Sequence, residues 1–129
     1  MTFTSSLFKD NIGYNGGIVY MTNTAAVTFN SITMTNGRAR NDGGSIYSGG
    51  TGASSITFSN CAANVDFFEA NANGGFMYID NPSTTFSSSN CNYNDMLAQG
   101  MGGWVYGNNL GTFGMSSCSM LNITAVGGG

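Results

Sequence analysis

The chain contains no histidine, a single proline (Pro82) and only three basic residues among 129. Without histidine the commonest general base and metal ligand is missing, so acid–base or metal chemistry would fall on carboxylates and thiols alone. With Lys9, Arg38 and Arg40 as the only cations, no electrostatic footprint for nucleic acid exists. No apolar run approaches the roughly 20 residues of a membrane-spanning helix, so no transmembrane segment is expected. Charged residues make up 7% of the chain and the formal net charge is −3, where ordinary globular domains carry about 25% charge. Disorder does not follow, because a solvating tail needs high charge and few aromatics and here aromatics reach 12%. The length allows one domain with its own core.

What is present is glycine, serine, threonine and asparagine, in a repeat. Gly-Gly followed by two residues and tyrosine occurs at Gly16–Tyr20, Gly43–Tyr47, Gly74–Tyr78 and Gly102–Tyr106, with the tyrosines 27, 31 and 28 residues apart. A second marker, Thr-Phe, interleaves with it at Thr2-Phe3, Thr28-Phe29, Thr57-Phe58, Thr85-Phe86 and Thr112-Phe113, spaced 26, 29, 28 and 27 residues. Asparagines follow at Asn11, Asn36, Asn64, Asn94 and Asn122. Two markers sharing one period define a repeat architecture.

The repeat unit is made of strands. No apolar stripe of helical period is present, whereas Ile18-Val19-Tyr20, Val27-Thr28-Phe29 and Ile56-Thr57-Phe58 are short β-branched and aromatic runs bounded by turn formers. Two or three strands per period of about 27 residues, with no helix between, describe the coil of a parallel β-solenoid, in which each coil hydrogen-bonds those above and below. The expected fold is therefore all-β, a right-handed parallel β-helix of 4–5 coils formed by residues 1–129 as one domain. Glycine pairs suit its corners, repeated asparagine suits a stacked turn ladder, and scarce proline spares the ladders.

Alternation assigns the columns. Val19, Ile46, Met77 and Val105 point inward, as do Phe3, Phe29, Phe58, Phe86 and Phe113. Strict alternation then turns Ile18, Ser45, Phe76 and Trp104 outward, together with Tyr20, Tyr47, Tyr78 and Tyr106, as an exposed aromatic column. Where a strand end bends, the tyrosines would instead cap the core.

Gly-Gly-x-[IVM]-Tyr together with Phe-x-x-Asn, seen at Phe8–Asn11 and Phe68–Asn71, resembles the repeats of polymorphic outer-membrane proteins and related parallel β-helix surface proteins. The resemblance covers essentially the whole chain. It implies an extracellular or cell-surface, elongated and adhesive or structural repeat.

Chemistry finds little to stand on. Parallel β-helices include polysaccharide lyases and hydrolases, whose sites need clustered carboxylates. The acids Asp10, Asp42, Asp66, Glu69, Asp80 and Asp95 are scattered at about one per coil. Asp42 and Asp80 read as turn residues, and only Asp66 with Glu69 forms a close pair, in the coil with the longest spacing, as a solvated or a functional loop. An enzyme, a cofactor and a metal site are not expected. Cys61, Cys91 and Cys118 fall in one column whose spacing does not match zinc. They are expected to be buried small apolar residues, with one disulfide as the alternative. Gly49-Gly50-Thr51-Gly52 precedes no helix and lacks a phosphate-binding lysine. Asn122-Ile123-Thr124 is an N-glycosylation sequon, and the runs Ser83–Thr85 and Ser87–Ser89 are candidates for O-linked sugar.

The functional expectation is a structural repeat, secreted or at a cell surface, that builds a fibril, stalk or filament by stacking on itself or on flanking coils, with glycans as covalent partners. The chain begins and ends within a coil, which reads as an excerpt of a longer repeat or as one unit of an assembly. The alternative is a binding module, either an adhesin using the aromatic column or a carbohydrate- or ice-binding face. Aligning the Thr-Phe markers gives a threonine column, but the position two residues on reads Thr4, Asn30, Ser59, Ser87 and Gly114, so a flat Thr-x-Thr array is not sustained.

Overall fold

The computed structural model describes residues 1–61 and 65–128, with the side chains of residues 65–67 outside that description. In chain order the strands are β1 (Thr2–Thr4), β2 (Leu7–Lys9), β3 (Ile12–Gly13), β4 (Val19–Thr22), β5 (Ala25–Asn30), β6 (Thr33–Ala39), β7 (Ile46–Gly49), β8 (Ser54–Ser59), β9 (Val65–Ala70), β10 (Met77–Ser89), β11 (Asn92–Ala98), β12 (Val105–Ser116) and β13 (Ser119–Ala125). No helix occurs among the described residues. Every strand pairing is parallel, between equivalent segments of successive coils. The chain is a β-solenoid of about four turns.

Three lanes run along its axis. The tyrosine lane is β4, β7 and the first parts of β10 and β12. The Thr-Phe lane is β1, β5, β8 and the second parts of β10 and β12. The third lane is β2 with β3, then β6, β9, β11 and β13. Pro82 lies within β10 at the bend between two lanes, where it is exposed. The buried Asn81 braces that bend, its Nδ2 donating to Gly52 O at 2.8 Å.

Inward residues of all three lanes meet in one core. Phe29, Phe58, Phe86, Ile46, Ile56 and Met77 are fully buried. Phe29 and Phe58 stack at 4.6 Å, with rings 19° apart.

The corners are set by backbone positions at positive φ, which L-residues reach at low cost only as Gly, Asn or Asp. Ser5, Ser31, Asn60, Asn90 and Ser117 follow the Thr-Phe lane with φ of 47–55°. Asp10, Asn36, Asp95 and Asn122 interrupt the third lane with φ of 53–56°. The first glycine of each pair, Gly16, Gly43, Gly74 and Gly102, takes φ of 64–69°. Asparagine does hold such corners, but Asn11 and Asn94 miss theirs by one residue, because Asp10 and Asp95 occupy them; Asn64 lies outside the described residues. An aspartate there also accepts a bond from the asparagine of a neighbouring coil: Asn36 Nδ2 donates to Asp10 Oδ1 at 2.6 Å, and Asn122 Nδ2 to Asp95 Oδ1 at 2.8 Å.

Two expectations are corrected. Ser45, Phe76 and Trp104 do not face outward: they are 0%, 0% and 7% exposed, and Ile18 is half-buried. Each lies in the corner before its strand, where two consecutive N–H groups donate to one carbonyl. Ser45 and Ile46 both reach Phe76 O, and Phe76 and Met77 both reach Trp104 O. Alternation restarts there, so two successive side chains enter the core.

The second correction is of register. Phe86 pairs with Ile56 and Ser88 with Phe58, so the Thr-Phe marker slips by two residues between β8 and β10. A slip of two preserves the side-chain face, which is why Phe86 stays buried although it does not sit on Phe58. The extra residues of this coil fall between Cys61 and Val65, where Asn92 follows Cys91 and pairs back to Cys61. The outward columns of the Thr-Phe lane consequently read Ala26, Ser55, Thr85, Thr112; then Thr2, Thr28, Thr57, Ser87, Gly114; then Thr4, Asn30, Ser59, Ser89, Ser116.

Candidate functional site

The outward aromatic column consists of the tyrosines alone. Tyr20, Tyr47, Tyr78 and Tyr106 are in register, with ring centroids 5.0, 5.1 and 5.4 Å apart and planes within 13°, 3° and 28°. Each ring face lies against its neighbour, so the ladder presents edges and hydroxyls sideways. A sugar platform needs open ring faces, which Tyr47 and Tyr78 do not have. Partial burial raises the Tyr47 phenol above its ordinary value and pushes Tyr78 up to about 12, with Asp80 and Asp42 adding like-charge repulsion.

The cysteines form the expected column and all three are free thiols. Cys61 and Cys91 are buried, and Cys118, in the last coil, is half-buried. Each S–H donates to the carbonyl two residues back: Ser59 O at 3.3 Å, Ser89 O at 3.2 Å and Ser116 O at 3.3 Å. Hydrogen bonding between the two stacked thiols splits them, pushing Cys61 up and Cys91 down. Ser88 links this column to the buried Tyr93, 2.7 Å from its hydroxyl and 3.3 Å from Cys118 Sγ. Tyr93 belongs to neither repeat marker, so only its place beside a corner in the third lane could have revealed it.

Glu69 is held by Arg38 at 3.2 Å on the outside of the third lane. Its expected partner Asp66 has a side chain outside the described residues. Asp42 accepts from the Asn73 backbone at 3.0 Å and side chain at 3.1 Å in a ladder before the Gly-Gly corners. Asp80 accepts from Asn108 at 3.1 Å. Among the described residues no group of three or more cysteines and acids is placed to hold a metal. A groove of about 350 Å³ lies over Arg38, Glu69, Asp95 and Asn122, where the Arg38–Glu69 ion pair takes up the base that would hold a sugar acid.

Asn122 is exposed in the last coil, and Thr124 of its sequon is exposed beside it. In the Ser/Thr runs, Thr84 and Ser88 point into the core, leaving Ser83, Thr85, Ser87 and Ser89 on the outside.

The two end coils differ from the rest. Every large hydrophobic side chain exposed among the described residues lies between Met1 and Tyr20 or between Met101 and Val126. Phe113 and Met120 belong to inward columns and are 42% and 44% exposed.

No helix is long and apolar enough to cross a membrane among the described residues. Comparison with protein families, with curated proteins and with solved structures finds no match.

Proposed function

We propose that this chain is a structural segment of an elongated, secreted or cell-surface β-solenoid, whose coils stack into a fibril or stalk. The observation that carries this reading is the confinement of exposed large hydrophobics to the two end coils. Solenoid coils bury their cores only against neighbours, and a parallel edge presents unpaired N–H and C=O groups. Further coils of the same repeat match both ends in shape, ladder and polarity. They come either from flanking parts of one polypeptide or from other copies; stacking between copies is heterologous and runs on as a filament. The Ser/Thr/Asn-rich exterior, the exposed Asn122 sequon and the resemblance to surface repeats support an extracellular setting.

The test is light scattering of residues 1–129 across a concentration series, with electron microscopy of the same samples. Growth into unbranched filaments, or ordering only when flanking repeats are added, supports the reading. A folded, monodisperse monomer at high concentration overturns it.

A further inference from the structure

The Thr-Phe lane turns a hydroxyl-rich face without charged side chains to solvent, and we propose that this face binds ice. Each of its fourteen outward positions other than Ala26, Asn30 and Gly114 carries a hydroxyl. The charged residues lie elsewhere: Lys9, Arg38, Glu69 and Asp95 are on the third lane, and Asp80 is on the tyrosine lane. The hydroxyls repeat at about 4.8 Å along the axis and about 6.6 Å along each strand. Parallel ladders on both sides of β5 and β8 make the array rigid, and β-branched Thr28, Thr57 and Thr85 hold few rotamers in a strand.

The observed register breaks the five-threonine column of the marker alignment but keeps hydroxyls in neighbouring coils. The two-residue slip at β10 places Thr85 beside Ser55 and Thr112, and Ser87 beside Thr57, so hydroxyl meets hydroxyl in successive coils. Two contacts among these outward side chains bring polar atoms together, Ser87 to Thr57 at 3.5 Å and Ser59 to Asn30 at 3.2 Å.

The chemistry of the face selects ordered water. It has no aromatic ring to stack on a sugar and no acid or base to orient one. Threonine methyl groups and Ala26 exclude disordered water, while hydroxyls at the strand and ladder spacings anchor ordered water. Attached sugars would crowd one another at the spacing of adjacent coils. The inference rests on the fold and register alone and is independent of what covers the end coils.

The experiment is partitioning into a slowly grown ice hemisphere, together with thermal hysteresis, on the folded chain and on three variants checked by circular dichroism. The chain is expected in the ice fraction. Thr57→Lys and Thr85→Lys should each reduce incorporation at least tenfold, and Thr35→Lys, on the third lane, should leave it unchanged. Exclusion of the parent chain from ice overturns the proposal, as does equal loss in Thr35→Lys. Retention on crystalline cellulose or chitin with the same lysine sensitivity, or native material carrying sugar on Thr57 or Thr85, overturns it too.

Discussion

Phe86 and Phe113 occupy the same position in successive coils and stack on each other at 4.9 Å, yet Phe86 is fully buried and Phe113 is 42% exposed. The difference is what lies on the other side. Phe86 has Ile56 of the preceding coil beside it, and Phe113 is the last of its column among the described residues. Val19, at the other limit of its column, is likewise only half-buried, while Ile46 and Met77 between the ends are fully buried. A coil of this protein thus owns no core: its inward side chains are buried by the two coils that flank it, and stability is a sum of nearest-neighbour interfaces.

The sharpest way to break this comparison is to remove the same ring in both settings. Phe58→Ala or Phe86→Ala should cost about 3–5 kcal/mol, whereas Phe113→Ala should cost roughly 1 kcal/mol, since much of its ring is already in water. Urea denaturation of the three variants measures this. Equal losses would mean that the last coil is as well packed as the middle.

The corners allow a second contrast. A Cβ on Gly44 would run into the Gly75 carbonyl and lie 2.9 and 3.0 Å from the backbone of Glu69, so no side chain is free to move aside. On Gly114 the only neighbour is Phe86 O at 3.9 Å. Gly44→Ala is therefore expected to cost roughly 3 kcal/mol, and Gly114→Ala under about 0.5 kcal/mol. Thermal melts separate the two, and a tolerated Gly44→Ala would mean that the coils are not in close backbone contact at that corner.

The fold was legible because one period of about 27 residues ran through two independent markers, and because only strands fit that many turn formers. The inward columns Ile46/Met77 and Phe29/Phe58 followed from alternation. The same rule misplaced Phe76 and Trp104, since alternation describes a strand and these residues stand in a corner where two N–H groups share one carbonyl. The slip at Thr85 was invisible for a related reason. The marker Thr-Phe recurs with an even offset, and an even offset leaves the inward/outward pattern unchanged. The surfaces were harder still, because whether a tyrosine offers its face or its edge depends on the ring beside it.

Smaller effects should appear at the left-handed corners. Asn90, at φ 52°, is expected to lose about 1–2 kcal/mol on replacement by alanine and to recover most of it as glycine. Ser117, at the equivalent corner with φ 52°, is exposed and should respond less. Denaturant midpoints of the four variants decide it.

Alkaline pH tests the tyrosine ladder. The Tyr78 phenol ionises at 10.0 when unperturbed and at about 12 in the fold. The unfolded chain therefore releases its proton first as pH rises, and the stability present below pH 10 falls between about 10 and 12. Melting temperatures should decline across that window, and Tyr78→Phe should decline less. An unchanged profile in Tyr78→Phe would remove Tyr78 as the cause.

The smallest effect is expected at a residue that lies in the middle of the stack and still outside it. Arg38 and Glu69 pair at 3.2 Å on neighbouring coils, with side chains 63% and 28% exposed. If position along the axis alone decided stability, breaking this pair would be costly. If burial between coils decides it, the pair behaves as a surface ion pair, screened by salt and partly offset by the side-chain entropy of holding it. Arg38→Gln should then shift stability by less than about 0.5 kcal/mol, and that small difference should vanish in 0.5 M salt, on the order of which the screening length is only a few ångströms. A loss approaching that of Phe58→Ala would show that the outer wall, and not the stacked interior, holds successive coils together.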